Sequence, residues 1–166
     1  MKLINNPDKN YLYMANQLII NAEGFSPKWY QDIFGHFTIG YGFTQTGYAK
    51  FYIPQYISNL NELMTISEAQ LILDDIIAEI NNSLATDLHF FDYLSVNQKA
   101  VLIDMAYNLG MAQLFSFDTF LSYLKAGDID NAVNDLTNTL WYNQVKNRAI
   151  RDCLNLYAQD NNYYLM

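Results

Sequence analysis

From residue 11 to residue 22 the apolar positions Leu12, Ala15, Leu18, Ile19 and Ala22 recur at the spacing of one helix face, which predicts an amphipathic helix. The pattern then changes. Between Trp29 and Phe43 the runs WYQD and GHFTIGYGF are β-prone and punctuated by glycine, predicting a small antiparallel hairpin sheet. Five of the seven glycines lie between Gly24 and Gly47, so turns are concentrated in this one region. Thr65-Ile66-Ser67-Glu68 reads as a helix start, opening a stripe of Ala69, Ile72, Leu73, Ile76, Ile77 and Ile80 that runs from Ser67 to about Ala85. Further helices are expected over Asp92–Leu109, ending at Gly110, over Asp118–Leu124, and over 129–140 and 143–157. No linker, repeat or low-complexity tract divides the chain. The expected fold class is α+β and mainly α. Residues 1–166 read as one domain: an N-terminal lobe over about 1–66 with the small sheet, a connecting helix over 67–85, and a helical C-terminal lobe over 86–166. The concave space between two such lobes suits a polymer.

Composition narrows the function. The chain has 166 residues, half of them apolar, enough for one substantial core. Nine basic against seventeen acidic side chains leave a net charge of −8, which argues against nucleic acid and against an anionic membrane surface. No run approaches the length of a membrane span, so no membrane insertion is expected. The opening MKLINNPDKNYLYMANQLIINAEG has neither an uninterrupted apolar stretch nor a small-residue cleavage site. The expectation is synthesis in the cytoplasm without a signal peptide. The single cysteine, Cys153, lies in an apolar-periodic run and reads as a packed thiol. His36 and His89 have no ligand-spaced neighbours, and GHFTIGYGF lacks the lysine and following helix of a phosphate loop. No metal and no cofactor are expected.

One constellation carries chemistry. Glu23 falls where the first helix ends, Asp32 lies in the hairpin region and Thr38 follows. A carboxylate at a helix end and another in a facing hairpin can flank one bond from two sides, which is what glycosidic cleavage requires. Phe25, Trp29 and Tyr30 are placed to give the acid apolar surroundings that raise its pKa. Taken alone, a Glu–Asp pair in an acidic protein is ordinarily surface charge.

The surrounding text changes that reading. AEGFSPKWYQDIFGHFTIGYGFT resembles the catalytic segment of phage-type lysozymes, the glycoside hydrolase family of the T-even phage endolysins, with Glu23, Asp32, Thr38, Gly24, Gly40 and Gly42 in register. QKAVLIDMAYNLG, FDTFLSYLKAGD and LWYNQVKNRAIRD resemble later segments of the same family, so the likeness covers roughly residues 12–157 and leaves about ten extra residues at the start. The resemblance implies a lysozyme-like fold and an inverting mechanism. It implies Glu23 as general acid, Asp32 as the carboxylate that activates water, and Thr38 as its hydrogen-bonding partner. It also implies Arg148 facing the acid, and Thr44, Tyr107 and Asn108 lining the cleft; Trp141 is expected to pack within the C-terminal lobe. His36 is expected to be an exposed loop residue. Phe43 stands where many members have a histidine paired with an aspartate of the long helix; Asp74 and Asp75 are out of that register, so apolar packing is expected instead.

The implied activity is that of an endolysin or muramidase cleaving the β-1,4 bond between N-acetylmuramic acid and N-acetylglucosamine. Its partner would be bacterial peptidoglycan, met as a monomer in the periplasm after release by a holin or a secretion system. A lytic transglycosylase and a non-catalytic peptidoglycan-binding module are the alternatives. Charge distribution refines the picture: residues 51–140 carry two basic and twelve acidic side chains, whereas the segments on either side are near neutral. A solvated acidic back face is expected, with weak steering towards an anionic wall. Lysis should therefore quicken as moderate salt screens the repulsion, and a rate falling steadily from low salt upward would contradict this.

Overall fold

The computed structural model describes residues 2–5, 11–158 and 162–165. Helix α1 (Tyr11–Glu23) buries Met14, Ala15, Leu18 and Ile19 along one face. It ends because Gly24 takes the left-handed conformation, φ 65°, while its N–H still bonds the Ile20 carbonyl at 3.0 Å. The chain turns directly into a three-stranded antiparallel sheet of β2 (Ser26–Gln31), β3 (Phe37–Gly40) and β4 (Phe43–Thr44), with β3 in the middle. The register pairs Thr38 with Tyr30 on one side and Thr44 on the other, and a bulge interrupts β2 between Ser26 and Tyr30. The label β1 belongs to Lys2–Asn5, which pairs antiparallel with β5 (Asn162–Leu165) in a separate ribbon. The remaining residues of the N-terminal extension, 1 and 6–10, lie outside the described residues.

Two 3-10 turns, Tyr48–Phe51 and Ile53–Gln55, lead from the sheet to α2 (Ile66–Asp87). The start of α2 is a capping box between Thr65 and Glu68, and the expected apolar stripe is buried from Ala69 to Leu84. Helix α3 (Val96–Leu109) is the centre of the fold, buried without interruption from Ala100 to Ala106. It packs against α1, α2, α4 (Met111–Phe115) and α8 (Asn147–Tyr157). The other helices are α5 (Asp118–Ala126), α6 (Ile129–Thr137) and α7 (Leu140–Val145). One contiguous buried cluster joins Ile39 and Phe43 of the sheet, Ile53 and Ile57 of the turn segment, and α3. The fold is α+β and mainly α.

Several boundaries differ from the sequence reading, each for a local reason. Asp92 belongs to a 3-10 turn, Phe91–Tyr93, and α3 begins later because Ser95 and Gln98 form a second capping box. The stretch 129–140 stops at Thr137, because Thr139 accepts the Tyr142 N–H and starts α7. The 143–157 run is split at Lys146, whose φ of 22° breaks the helical path. Phe43 is buried edge-on to Tyr41, while Asp74 accepts from Asn16 and Gln70, in line with the expected apolar replacement. The ribbon β1–β5 escaped prediction. Its strands lie at opposite ends of the chain, and it is pinned by Asn97 donating to the Asn162 carbonyl and by Asn155 bonding both backbone groups of Tyr164.

Replacing the Ser95 cap tests how far α3 depends on it. Ser95→Ala should cost about 1 kcal/mol and lower the melting temperature by about 2–4 °C; an unchanged thermal midpoint would show that packing alone fixes the helix start.

Candidate active site

Glu23 occupies the last position of α1, and its half-buried carboxylate meets the Arg148 guanidinium at 2.5 Å, Nη1 to Oε1. The approach of the sheet to this carboxylate requires glycine: a Cβ on Gly42, φ 83°, would lie 2.8 Å from Glu23 Oε2. Arg148 lies in the first turn of α8 and is turned away from solvent. It is 6% exposed, and Asp104 of α3 grips it from behind with Oδ2 on Nε and Oδ1 on Nη2, both at 2.9 Å. The same Asp104 Oδ2 accepts from Arg151 Nη2 at 2.5 Å. Arg151 also bonds Asp152 Oδ1 through Nη2 and Nε, and the Leu18 carbonyl of α1 at 2.7 Å.

Three carboxylates and two guanidiniums thus share one interior. For Asp104, burial opposes ionisation most strongly, but Arg148 and Arg151 together outweigh it and hold the carboxyl below its ordinary range. For Asp152, burial and the charge of Asp104 prevail over the guanidiniums and push the carboxyl well above it. Burial tends to lower Arg148, yet Asp104 and Glu23 more than restore it, so the guanidinium stays charged.

Asp32 is built differently. It closes the β2–β3 turn, where its Oδ1 accepts the backbone N–H groups of Phe34 and His36, both at 2.8 Å, and its Oδ2 meets the His36 ring at 3.1 Å. Desolvation is the largest single influence and raises its pKa; the two N–H bonds and the ring together prevail, so the carboxyl lies below the usual Asp value. His36 is exposed, as expected, but it serves Asp32 as well as facing solvent. Thr38 is buried, and its Oγ1 donates to the His36 carbonyl at 3.2 Å, with no direct bond to Asp32. Tyr30 links the two acidic centres: burial raises its pKa first, and the charges of Glu23 and Asp32 raise it further.

A cavity of about 620 Å³ is lined by Glu23, Thr44, Tyr107, Asn108 and also Glu79. Tyr107 donates to the Tyr41 carbonyl at 2.6 Å, Asn108 accepts from Trp141 Nε1 at 2.8 Å, and Thr44 Oγ1 accepts from Gly47 N–H at 3.0 Å. Trp141 is buried, as expected for a packing role. Neither Asp32 nor Thr38 lines it: Thr38 lies on β3 and Asp32 in the β2–β3 turn. The apolar sleeve expected around Glu23 is only partly present, since Phe25 packs on Tyr41 and Trp29 lines a separate cavity with Pro54 and Ile57.

The sequence reading missed Asp104, Arg151, Asp152 and Glu79. An aspartate inside the apolar run VLIDMA was a signal of a buried, paired charge. Glu79 shows that the acidic face is not wholly remote: Tyr52 donates to it at 3.1 Å within reach of the cavity. Cys153 is the packed thiol expected, pushed up to about 12 by burial and by neighbouring Asp152. Among the described residues, no helix is long and apolar enough to cross a membrane.

A carboxyl at a cavity wall, backed by a fixed guanidinium, and a second carboxylate kept ionised nearby form a pair suited to acid–base cleavage. Comparison with known proteins gives the family. The phage lysozyme family model matches residues 20–155. An endolysin from Acyrthosiphon pisum secondary endosymbiont phage 1 is 30% identical over 115 residues, which is 69% of each chain. The chain belongs to the phage lysozyme family and is a lysozyme-type glycosidase.

Removing the His36 ring should let the Asp32 carboxyl titrate at higher pH. Carbon-13 titration of His36→Ala reads this directly; a downward or absent shift would contradict the turn's role.

Proposed function

We propose that the chain is a peptidoglycan-lytic endolysin, a muramidase hydrolysing the β-1,4 bond between N-acetylmuramic acid and N-acetylglucosamine with inversion. In this reading residues 1–166 act as one monomeric unit, two lobes joined by α2, working on the wall from the periplasmic side. Glu23 gives its proton to the glycosidic oxygen as the bond to the anomeric carbon breaks. Asp32 takes a proton from water, whose oxygen bonds that carbon from the opposite face. Thr38 holds the strand on which this water is directed, and Thr44, Tyr107 and Asn108 contact sugar. Arg148 balances the carboxylate that Glu23 becomes.

The observation that carries the reading is the contrast between the two carboxyls. Glu23 stands at the wall of a cavity of about 620 Å³ against a fixed guanidinium, while two backbone N–H donors and the adjacent His36 ring favour ionised Asp32, the form a general base must have. Burial keeps the Tyr107 phenol protonated beside Glu23, as a neutral donor.

Digestion of purified sacculi followed by mass spectrometry of the muropeptides tests the proposal. Wild type should release reducing N-acetylmuramic acid ends, and Glu23→Gln should be slower by about 10²–10⁴-fold. Anhydro-sugar ends would identify a lytic transglycosylase instead. Sacculus binding without any released sugar would identify a binding module. Undiminished cleavage by Glu23→Gln would overturn the assignment of the acid.

A further inference from the structure

The acid–base pair does not account for the charges behind it. Asp104, Arg151 and Asp152 are each 0% exposed, and none of them lines the cavity. Burying three ionisable side chains that touch no substrate is costly unless they act together. Their bonds form a directed chain. Asp104 uses both carboxylate oxygens on Arg148, at 2.9 Å each, and adds its own backbone carbonyl at 3.3 Å. That occupies Nε and Nη2, so Nη1 is the nitrogen left to reach Glu23. A bidentate grip fixes both the position and the plane of a guanidinium.

We infer that Asp104 is a positioning residue for Glu23, acting through Arg148, with Arg151 as the opposing charge on its far side. The inference rests on the role proposed for Glu23. The relay spans three helices: Glu23 ends α1, Asp104 sits in α3, and both arginines lie on α8. Its two ends have opposite signs of influence. Without the Asp104 charge, Arg148 and Arg151 face Glu23 with less compensation, so Glu23 loses its proton at lower pH. Without the Arg151 charge, Asp104 offsets more of Arg148, and Glu23 keeps its proton to higher pH. Among the described residues, the other titratable groups near Glu23 are Tyr30 from β2 and Tyr107 from α3, both raised and neutral, with Glu79 of α2 on the wall of the same cavity. Asp152 faces Arg151 and has one oxygen, Oδ2, with no hydrogen-bond partner. It is able to ionise in compensation when Asp104 is neutralised, so the pair is also tested as a double variant.

The experiment is carbon-13 titration of the Glu23 carboxyl, with kcat and KM against pH on purified peptidoglycan. Asp104→Asn should move the Glu23 midpoint and the alkaline limb of kcat down by about one pH unit, with KM little changed. Asp104→Asn/Asp152→Asn should move it further down, and Arg151→Gln should move it up. A purely structural role would lower activity in all three without displacements of opposite sign, and that result overturns the proposal. Should the variants not fold, the wild-type protein decides: the Arg148 Nε–H should exchange slowly and shift as Glu23 titrates. Fast exchange of this proton would overturn the proposal. If wild type releases no sugar, the muramidase reading fails, while the Glu23 titration still reports on the relay.

Discussion

The structure depends on a buried carboxylate held between two guanidiniums. Asp104 has no exposure, and Arg148 and Arg151 approach its two oxygens from one neighbouring helix. Removing one member of such a group leaves an uncompensated buried charge, a loss of about 3–5 kcal/mol. The geometry is therefore strict. It fixes α8 against α3, and because Arg151 also bonds the Leu18 carbonyl, it fixes α1 as well. Glu23 lies about a turn and a half beyond Leu18 on α1, so the position of its carboxyl follows from the packing of three helices. The β-lobe adds its share through Gly42, which brings backbone where a side chain would collide with Glu23.

The two carboxyls of the proposed mechanism are supported by opposite means. Glu23 relies on tertiary contacts between elements far apart in sequence, whereas Asp32 relies on its own turn, with donors two and four residues away. A distant relay leaves the acid's surroundings adjustable by mutation anywhere along it. A local turn is self-contained and carries its charge preference with it.

Much of this was legible in the chain, and the failures are instructive. The apolar stripe from Ala69 to Ile80 found its helix, and the Gly24–Gly47 turn region found its sheet, because both signals are local. Glu23, Asp32 and Thr38 were singled out through the likeness of their segment to a known family, not through spacing alone. The cavity then gathered Thr44, Tyr107 and Asn108 beside Glu23, while Asp32 stayed in the β2–β3 turn and Thr38 on β3. What could not be read was pairing at long range. Asp104 finds its partners 44 and 47 residues away, and no pattern within α3 names them. The helix breaks at Thr137 and Lys146 were missed for a different reason: capping and a positive φ act at single residues inside otherwise periodic text.

The separation between Glu23 and Arg148 in the chain has a temporal meaning. The two residues are 125 positions apart, the carboxylate on α1 and the guanidinium on α8. During synthesis α1 emerges long before α8, and domains fold as their last necessary contacts become available. A ribosome-bound fragment lacking α8 cannot hold Glu23 in its final surroundings, and Asp104 would have no cation to justify its burial. The pairing of Glu23 with Arg148 therefore waits until α8 has emerged and packed against α1 and α3.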